Sequence, residues 1–493
     1  MRGRCFDISI AILLLFVSSS LPSSMAFSMS ASASASASSA SSNHPQQVCI
    51  VGAGPAGLYL AHLLLQQNDQ VQINILDKAP ENGTPDATAF GFGVGPRHQR
   101  CLEQIPGLWQ RIEQQSAPTT GGPKVRIINR NVFCQELLTS LQERHGSERC
   151  TITYETTCQS VDLRGQRVRT SQGQEIQYDL LVGCDGVNSQ IRKILVEQGG
   201  IQEEHYLRDS KWKSLKLPRQ PANVLEPGAF RPLSHPSLKG AVFPRFPEGH
   251  TALMFWSDME LDNPQGIDSV DGLCQAISIA VQPKSSRWDW GKKLLFWRGT
   301  NNVSPTTGAN NDIQVQFDRK DAERCVQSRP RHEHYLKLDR YHHGRVALVG
   351  DSAHGMYSFL GQGAACALAN AGILAQCLQL TMATSDDGIA TSIETALQTY
   401  SQQAVPEGHA ATDLNLLTHS VLGRSIVAKL LSIPLLLLGA LRGNLLMKRL
   451  NQDVSYKQVR NENAWLVRVS RYFWKRNRVP MSQTTMTPQK VAA

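Results

Sequence analysis

No C-x-x-C pair occurs among the eleven cysteines, which stand singly at Cys49, Cys101, Cys134, Cys184, Cys274, Cys325 and elsewhere. That scatter writes neither a zinc site nor a full disulfide framework. Proline and glycine are not enriched, at 24 and 37 of 493 residues, and hydrophobic residues reach 41% against 18% charged. These proportions exclude a mainly disordered or collagen-like chain outside local segments. The length leaves room for two or three domains at roughly 100–200 residues each. Neither marked apolar run, Ile8 to Val17 nor Leu430 to Leu441, reaches the roughly 20 residues a membrane-spanning helix needs. No internal repeat is visible.

The excess of basic over acidic residues is greatest near the end. Between Leu441 and Pro480 there are ten basic residues (Arg442, Lys448, Arg449, Lys457, Arg460, Arg468, Arg471, Lys475, Arg476 and Arg478) against Asp453 and Glu462, so this stretch carries +8 of the net +9. The charge therefore belongs to a C-terminal element and not to a nucleic-acid-binding face. With the apolar run Leu430 to Leu441 before it and Trp465, Tyr472, Phe473 and Trp474 within it, the segment is expected to lie on a membrane surface, cations toward headgroups and aromatics at the boundary. A helical cap over the active site is the competing expectation.

The N-terminus has the form of an address. Arg2 and Arg4 precede the apolar run, and small residues lead to Met25-Ala26-Phe27, a secretory-signal pattern with cleavage expected after Ala26. Ser28 to Asn43 is nearly all Ser and Ala without an acidic residue, resembling a plastid transit sequence. The expected localisation is a plastid reached through an ER-derived membrane. A secretory signal followed by a linker is the alternative.

From Val48 the chain carries a strand, a glycine turn (Gly52-Ala53-Gly54-Pro55-Ala56-Gly57), a helical pattern from Leu58 to Gln67 and a second strand, Val71 to Leu76, ending at Asp77, twenty positions after Gly57. In such a unit Gly52 permits a tight turn, Gly54 lets the backbone approach a diphosphate and Gly57 lets the helix pack on the strand. The helix N-terminus offers N–H groups to the diphosphate, and Asp77 would accept from the ribose hydroxyls. A glycine-rich turn in an ordinary βαβ unit is the plainer reading. Further on, the buried pattern Arg345 to Val349 runs into Gly350-Asp351-Ser352-Ala353-His354, and Gly361-Gln362-Gly363 opens an Ala-rich helix from Ala364 to about Leu380. There Asp351 can hold a ribityl hydroxyl, and the helix start faces the flavin edge that becomes negative on reduction. A third segment, Tyr178 to Arg192, is a strand, turn and helix in which Asp185 can hold the turn and cap the helix. His354 is expected to pack rather than act as a base, and His342-His343 to lie at the surface. A region from about 200 to 341 with alternating segments such as Leu253-Met254-Phe255-Trp256 predicts an inserted, mostly β domain.

In their order and spacing the three segments resemble the FAD-dependent aromatic-hydroxylase family, the single-component flavoprotein monooxygenases of the para-hydroxybenzoate hydroxylase fold. Val405 to Leu414 and the basic helical C-terminus make the chain most similar to the kynurenine 3-monooxygenase branch. The resemblance implies an α/β fold: a Rossmann-type parallel sheet for FAD at 46–200 and 341–400 and an inserted, mostly antiparallel β substrate domain at 200–340. A helical C-terminal segment at 401–480 would follow, with presequence 1–45 and tail 481–493 outside the fold. It places FAD contacts on Ala56, on Leu76, Asp77, Lys78 and Ala79, on Arg130, Cys158 and Asp351, and on Ala364 and Ala365. It implies NAD(P)H as co-substrate, O2 as oxidant and hydroxylation of a small aromatic or apolar substrate through a flavin hydroperoxide, with no side chain assigned as catalytic. The chain departs from this pattern in three places. Ser116 to Pro123 supplies no Arg or Tyr for a substrate carboxylate, Ala365 replaces an Asn, and Ser358 replaces a proline near the flavin. These changes put kynurenine itself in doubt. They leave a non-oxygenating reductase of prenyl-lipid type, or a flavin-binding protein without turnover, as alternatives.

Overall fold

The structure, a computed structural model, describes residues 46–81, 91–120, 125–233, 238–257, 267–281, 315–384, 388–417, 446–475 and 479–480, with isolated positions between 427 and 434. The expected presequence 1–45, the expected tail 481–493 and most of the apolar run 430–441 lie outside these residues.

Strand Gln46–Val51 is apolar on both faces from Val48 onward, and it takes the place this favours, inside a parallel sheet covered by helices. The sheet runs His342–His343, Val346–Leu348, Leu180–Gly183, Gln46–Val51, Val71–Leu76, Cys150–Thr153. All its pairings are parallel except that of the edge strand His342–His343, which is antiparallel. Helix Pro55–Gln67 begins three residues before the expected Leu58, because Pro55 has the φ a first helical turn needs and no N–H to lose. It buries Leu58 through Leu65. Gly52 has φ +111°, and a Cβ there would lie 2.4 Å from the Cys184 carbonyl oxygen. At Gly57 a Cβ would lie 2.1 Å from the Gly52 oxygen, so no larger residue permits this turn. Helix Gly363–Thr384 is long and apolar enough to cross a bilayer by composition. It buries Leu368, Ala371, Leu374, Ala375 and Leu378 in the core instead.

The inserted region forms a second sheet ordered Arg231–Pro232, Lys239–Pro244, His250–Ser257, Glu203–Leu217, Arg331–Leu338, antiparallel throughout. Strand alternation divides its residues. Leu215, Leu217, Val242, Ala252 and Met254 form a core with helices Val270–Val281 and Arg319–Gln327, and the other face turns toward the first sheet's loops. The stretch from Cys158 to Gln177 is a three-stranded antiparallel sheet (Cys158–Asp162, Arg167–Thr170, Glu175–Gln177) that follows Cys150–Thr153, itself a strand of the parallel sheet.

Helix Gly388–Asn415 runs straight through the boundary expected at residue 400, with Pro406 inside it. Helices Leu446–Asn451, Tyr456–Glu462 and Ala464–Lys475 then fold back onto it. The architecture is thus the expected one: a parallel α/β sheet, an inserted antiparallel domain and a helical C-terminal part.

Candidate cofactor and substrate site

The strand ends of the parallel sheet converge on the glycine turn, and Asp77 holds it closed. Its Oδ2 accepts from the Ala53 N–H at 2.6 Å and its Oδ1 from the Ala79 N–H at 2.7 Å. Each carboxylate oxygen can accept a second hydrogen bond, so Asp77 can fasten the turn and still receive ribose hydroxyls. The fastening role had no signal in the sequence. Arg130 opens helix Arg130–Arg149 behind an Asn129 cap whose side chain accepts from the Asn131 N–H at 2.8 Å. Its guanidinium lies over Gly54, where a Cβ would meet it at 3.1 Å and touch nothing else within 4 Å.

Beside the same turn, where a Cβ on Gly52 would lie 3.0 Å from the Asp185 nitrogen, Asp185 Oδ2 accepts from the Gln190 N–H at 2.6 Å and so supports the start of helix Gln190–Glu197, whose cap is Ser189. The Asp185 Oδ1 is buried with no hydrogen-bond partner, an arrangement that proteins rarely leave without a ligand or water. Asp351 opens into the cavity, where it is exposed with the surrounding protein close about it. Burial raises its carboxyl, and Arg130 works against the rise. Cys158 lines the same space, its thiol pushed up to about 12 by burial, with Asp185 adding to the rise.

One cavity of about 2040 Å³ joins these groups. It is lined by Gly52, Gly54, Ala56, Leu76, Asp77, Lys78, Ala79, Arg130, Cys158, Asp185, Asp351, Gly361, Gly363 and Ala364. Gly57 and Ala365 stand apart from its wall, the first packed on Ile50 and the Gly52 carbonyl, the second buried within its helix. His354 is fully buried and also off the wall, its Nε2 3.7 Å from the Cys366 sulfur. Burial lowers its imidazole to about 4.

The cavity exceeds the roughly 300–1,000 Å³ of ordinary small-molecule sites because it continues past the glycine turns onto the second sheet. Trp212, Phe243, Leu253 and Phe255 line it there, with Phe230 and Phe473. Phe473 comes from the C-terminal helix Ala464–Lys475, whose Trp474 Nε1 donates to the Tyr357 hydroxyl at 3.0 Å. Ser358 donates to Glu333 Oε1 from its backbone N–H at 2.7 Å and from its hydroxyl at 2.5 Å, and Arg208 donates to Oε2 at 2.5 Å. The position where the sequence departs from proline is therefore a latch between the late turn and the second sheet. The sequence carries no signal for Glu333, and it shows Phe255 and Phe473 without placing either on this wall. Strand alternation around Phe255 was the available signal, but the partner strands were not.

The residues present fit FAD. The orphaned Asp185 oxygen and the bare Gly54 backbone under Arg130 offer an acceptor and a diphosphate approach beside one glycine turn on the cavity wall.

Comparison with known proteins agrees. A family model described as "FAD binding domain" matches residues 46–229. The FAD-dependent monooxygenase penE of Penicillium thymicola is 27% identical over 371 residues, covering 67% of this chain and 69% of that one. Kynurenine 3-monooxygenase of Stenotrophomonas maltophilia is 24% identical over 363 residues, covering 67% and 71%. Among solved structures, 2-methyl-3-hydroxypyridine-5-carboxylic acid oxygenase superposes with TM-score 0.56 at 20% identity, covering 79% of this chain and 96% of that one. The tetracycline destructase Tet(51) gives 0.55 at 14%, covering 85% and 99%. Residues 46–229 thus carry an FAD-binding domain, and the chain resembles FAD-dependent monooxygenases in sequence and shares the fold of these solved oxygenases.

Proposed function

We propose that the protein uses NAD(P)H and O2 to place one oxygen atom on a small aromatic or apolar substrate held against the second sheet. The observation that carries this reading is the continuity of one cavity from the glycine turns to a wall of Trp212, Phe243 and Phe255. Bound FAD supplies the redox chemistry, taking two electrons from the nicotinamide and delivering them to oxygen. The chain's own residues orient and exclude. Asp77 and Arg130 fix the diphosphate end, and the start of helix Gly363–Thr384 turns its free N–H groups toward the flavin end. The aromatic wall and Phe473 keep water from the reacting face, which limits loss of the oxidant as peroxide. No second nucleotide-binding glycine motif occurs in the sequence, which fits a nicotinamide that visits transiently.

Kynurenine is not the proposed substrate, because Ser116 to Pro123 offers no cation or phenol for its carboxylate. The presequence supports a plastid location. A membrane-facing role for the C-terminus is supported by exposed Trp465 and Tyr472 beside exposed Lys457, Arg468 and Lys475. Arg449, Arg460 and Arg471 instead pair with Glu462 and Asp413. The test is NADPH oxidation by the purified protein in air and without oxygen, with peroxide and oxygenated product counted. Equal oxidation under both conditions would mean a reductase.

A further inference from the structure

Two arginines tie the C-terminal helices to the cofactor domain. Helix Pro96–Leu102 carries Arg97, whose guanidinium donates to the Leu450 and Val454 carbonyls, and Arg100, which donates to the Gln452 carbonyl at 3.1 Å. These carbonyls lie in and just beyond the last turn of helix Leu446–Asn451, where a helix has no donors of its own to offer. The Arg97 guanidinium also lies over the Tyr456 ring, 4.3 Å from the centroid, and Glu407 accepts from the Tyr456 N–H at 2.6 Å. Tyr456 is thus buried and fixed through both ring and backbone.

Its hydroxyl donates to Gln362 Oε1 at 3.0 Å. Burial pushes the phenol up, so it stays a protonated donor. Gln362 is the middle residue of the late glycine turn, and its buried side chain also donates from Nε2 to the Leu360 carbonyl at 3.1 Å. The Gln362 carbonyl accepts from the Cys366 N–H at 2.9 Å, the bond that opens helix Gly363–Thr384. The side chain held by Tyr456 therefore belongs to the residue on which this helix starts. Gly361 has φ +62°, and with glycine on both sides of Gln362 the backbone here has little stiffness of its own. Gly361, Gly363 and Ala364 line the cavity. The first N–H groups of the helix have no intrahelical partner, and they are the groups that stabilise negative charge at its start.

We propose that Tyr456 is a positioning residue for the flavin: its hydroxyl, acting through Gln362, fixes the start of helix Gly363–Thr384, so that the C-terminal helices set the flavin's reduction potential. The inference rests on the reading above that FAD occupies this cavity with its flavin end at that helix start. Uptake of two electrons and one proton leaves one negative charge on the reduced flavin, beside which the protein's electrostatics act. A turn free to shift holds its N–H groups less firmly toward that charge, so the reduced form is stabilised less and the potential falls.

The FAD-bound protein is reduced stepwise with dithionite, without oxygen, beside a dye of known potential, so that neither substrate nor nicotinamide enters the measurement. Tyr456→Phe keeps the ring under Arg97 and removes the donor. It should retain about one FAD per chain and shift the reduction equilibrium about fivefold toward oxidised flavin, a fall of about 20 mV for a two-electron couple. Gln362→Met removes the acceptor and should do the same, and the double variant should shift no further than either single one. Val459→Ala hollows the same helix, Tyr456–Glu462, at a buried position and should lower the thermal midpoint while leaving the potential unchanged. A Tyr456→Phe potential within about 9 mV of the wild type, a roughly twofold change, overturns the proposal, as does loss of flavin from that variant. So do additive shifts in the double variant, or a Val459→Ala shift as large as that of Tyr456→Phe, since either would make the effect one of general packing. A wild type that purifies without flavin overturns the cavity reading itself, and the proposal falls with it.

Discussion

Replacing Asp413 with Asn should loosen the C-terminal helices more than any surface change. The Asp413 carboxylate is 2% exposed and accepts from Lys337 Nζ at 2.6 Å, Arg471 at 2.6 Å and Arg460 Nε at 2.9 Å. Burial alone would raise its carboxyl, but Lys337 and Arg471 outweigh burial and hold it below the usual range. The two arginines are more than a third exposed, so solvent screens their pairs to about 0–1 kcal/mol each. Lys337, with a side chain 10% exposed, has no such relief. Stripping one partner from a buried pair costs about 3–5 kcal/mol, a large share of the roughly 5–15 kcal/mol that holds a domain folded. The thermal midpoint should fall by several degrees, and trypsin should release the segment from Tyr456 to Lys475 sooner than in the wild type. The double change Lys337→Met with Asp413→Leu removes both charges and should recover most of the loss. An Asn variant within about 0.5 kcal/mol of the wild type, or a double variant no better than the single, would refute the reasoning.

The latch at Ser358 should affect coupling. Ser358→Ala leaves the backbone donor to Glu333 and should raise peroxide per NADPH slightly, while Ser358→Pro removes both donors and should raise it severalfold. Wild-type coupling in both would contradict the role. Burial holds His62, His98 and His354 at about 4, whereas they titrate near 6.5 when unfolded. Their contribution to stability is fully present above pH 6.5 and is lost as pH falls toward 4, by about 1.4 kcal/mol per pH unit for each. A thermal midpoint that stays flat from pH 7 to 4.5 would contradict this. Flotation with liposomes should rise with anionic-lipid content and drop on truncation at Gly423, at about 1 kcal/mol per cation near the surface. Equal flotation of both forms would leave the C-terminal helices only a cap on the cavity.

The parts of the molecule written in short stretches were readable from sequence. Val48 to Asp77 is strand, turn, helix and strand because apolar periodicity and three glycines act over thirty residues, and Gly350 to Gly363 is legible for the same reason. What escaped depends on partners far apart in the chain. Trp212 and Arg331 meet only because their strands pair in one register. Phe473 enters the cavity because Trp474 is drawn into a cluster with Tyr335 and Tyr357. Within a single segment, apolar alternation says that a strand has two faces but not which one meets the cofactor domain. The cluster also moves Trp474, expected among boundary aromatics, into the core at 1% exposure, because its indole N–H finds the Tyr357 hydroxyl there.

The central claim is that FAD spans the cavity with its diphosphate on the glycine turn, and Gly54 tests it most directly. A side chain at Gly54 meets only the mobile end of Arg130, so Gly54→Val should fold, with a thermal midpoint close to that of the flavin-stripped wild type. It should nonetheless close the backbone to the diphosphate. Flavin counted per purified chain should be about one in the wild type and near zero in Gly54→Val. Gly52→Val, driven against the Cys184 carbonyl, should fail to fold at all. A folded Gly54→Val protein that retains one FAD would contradict the account.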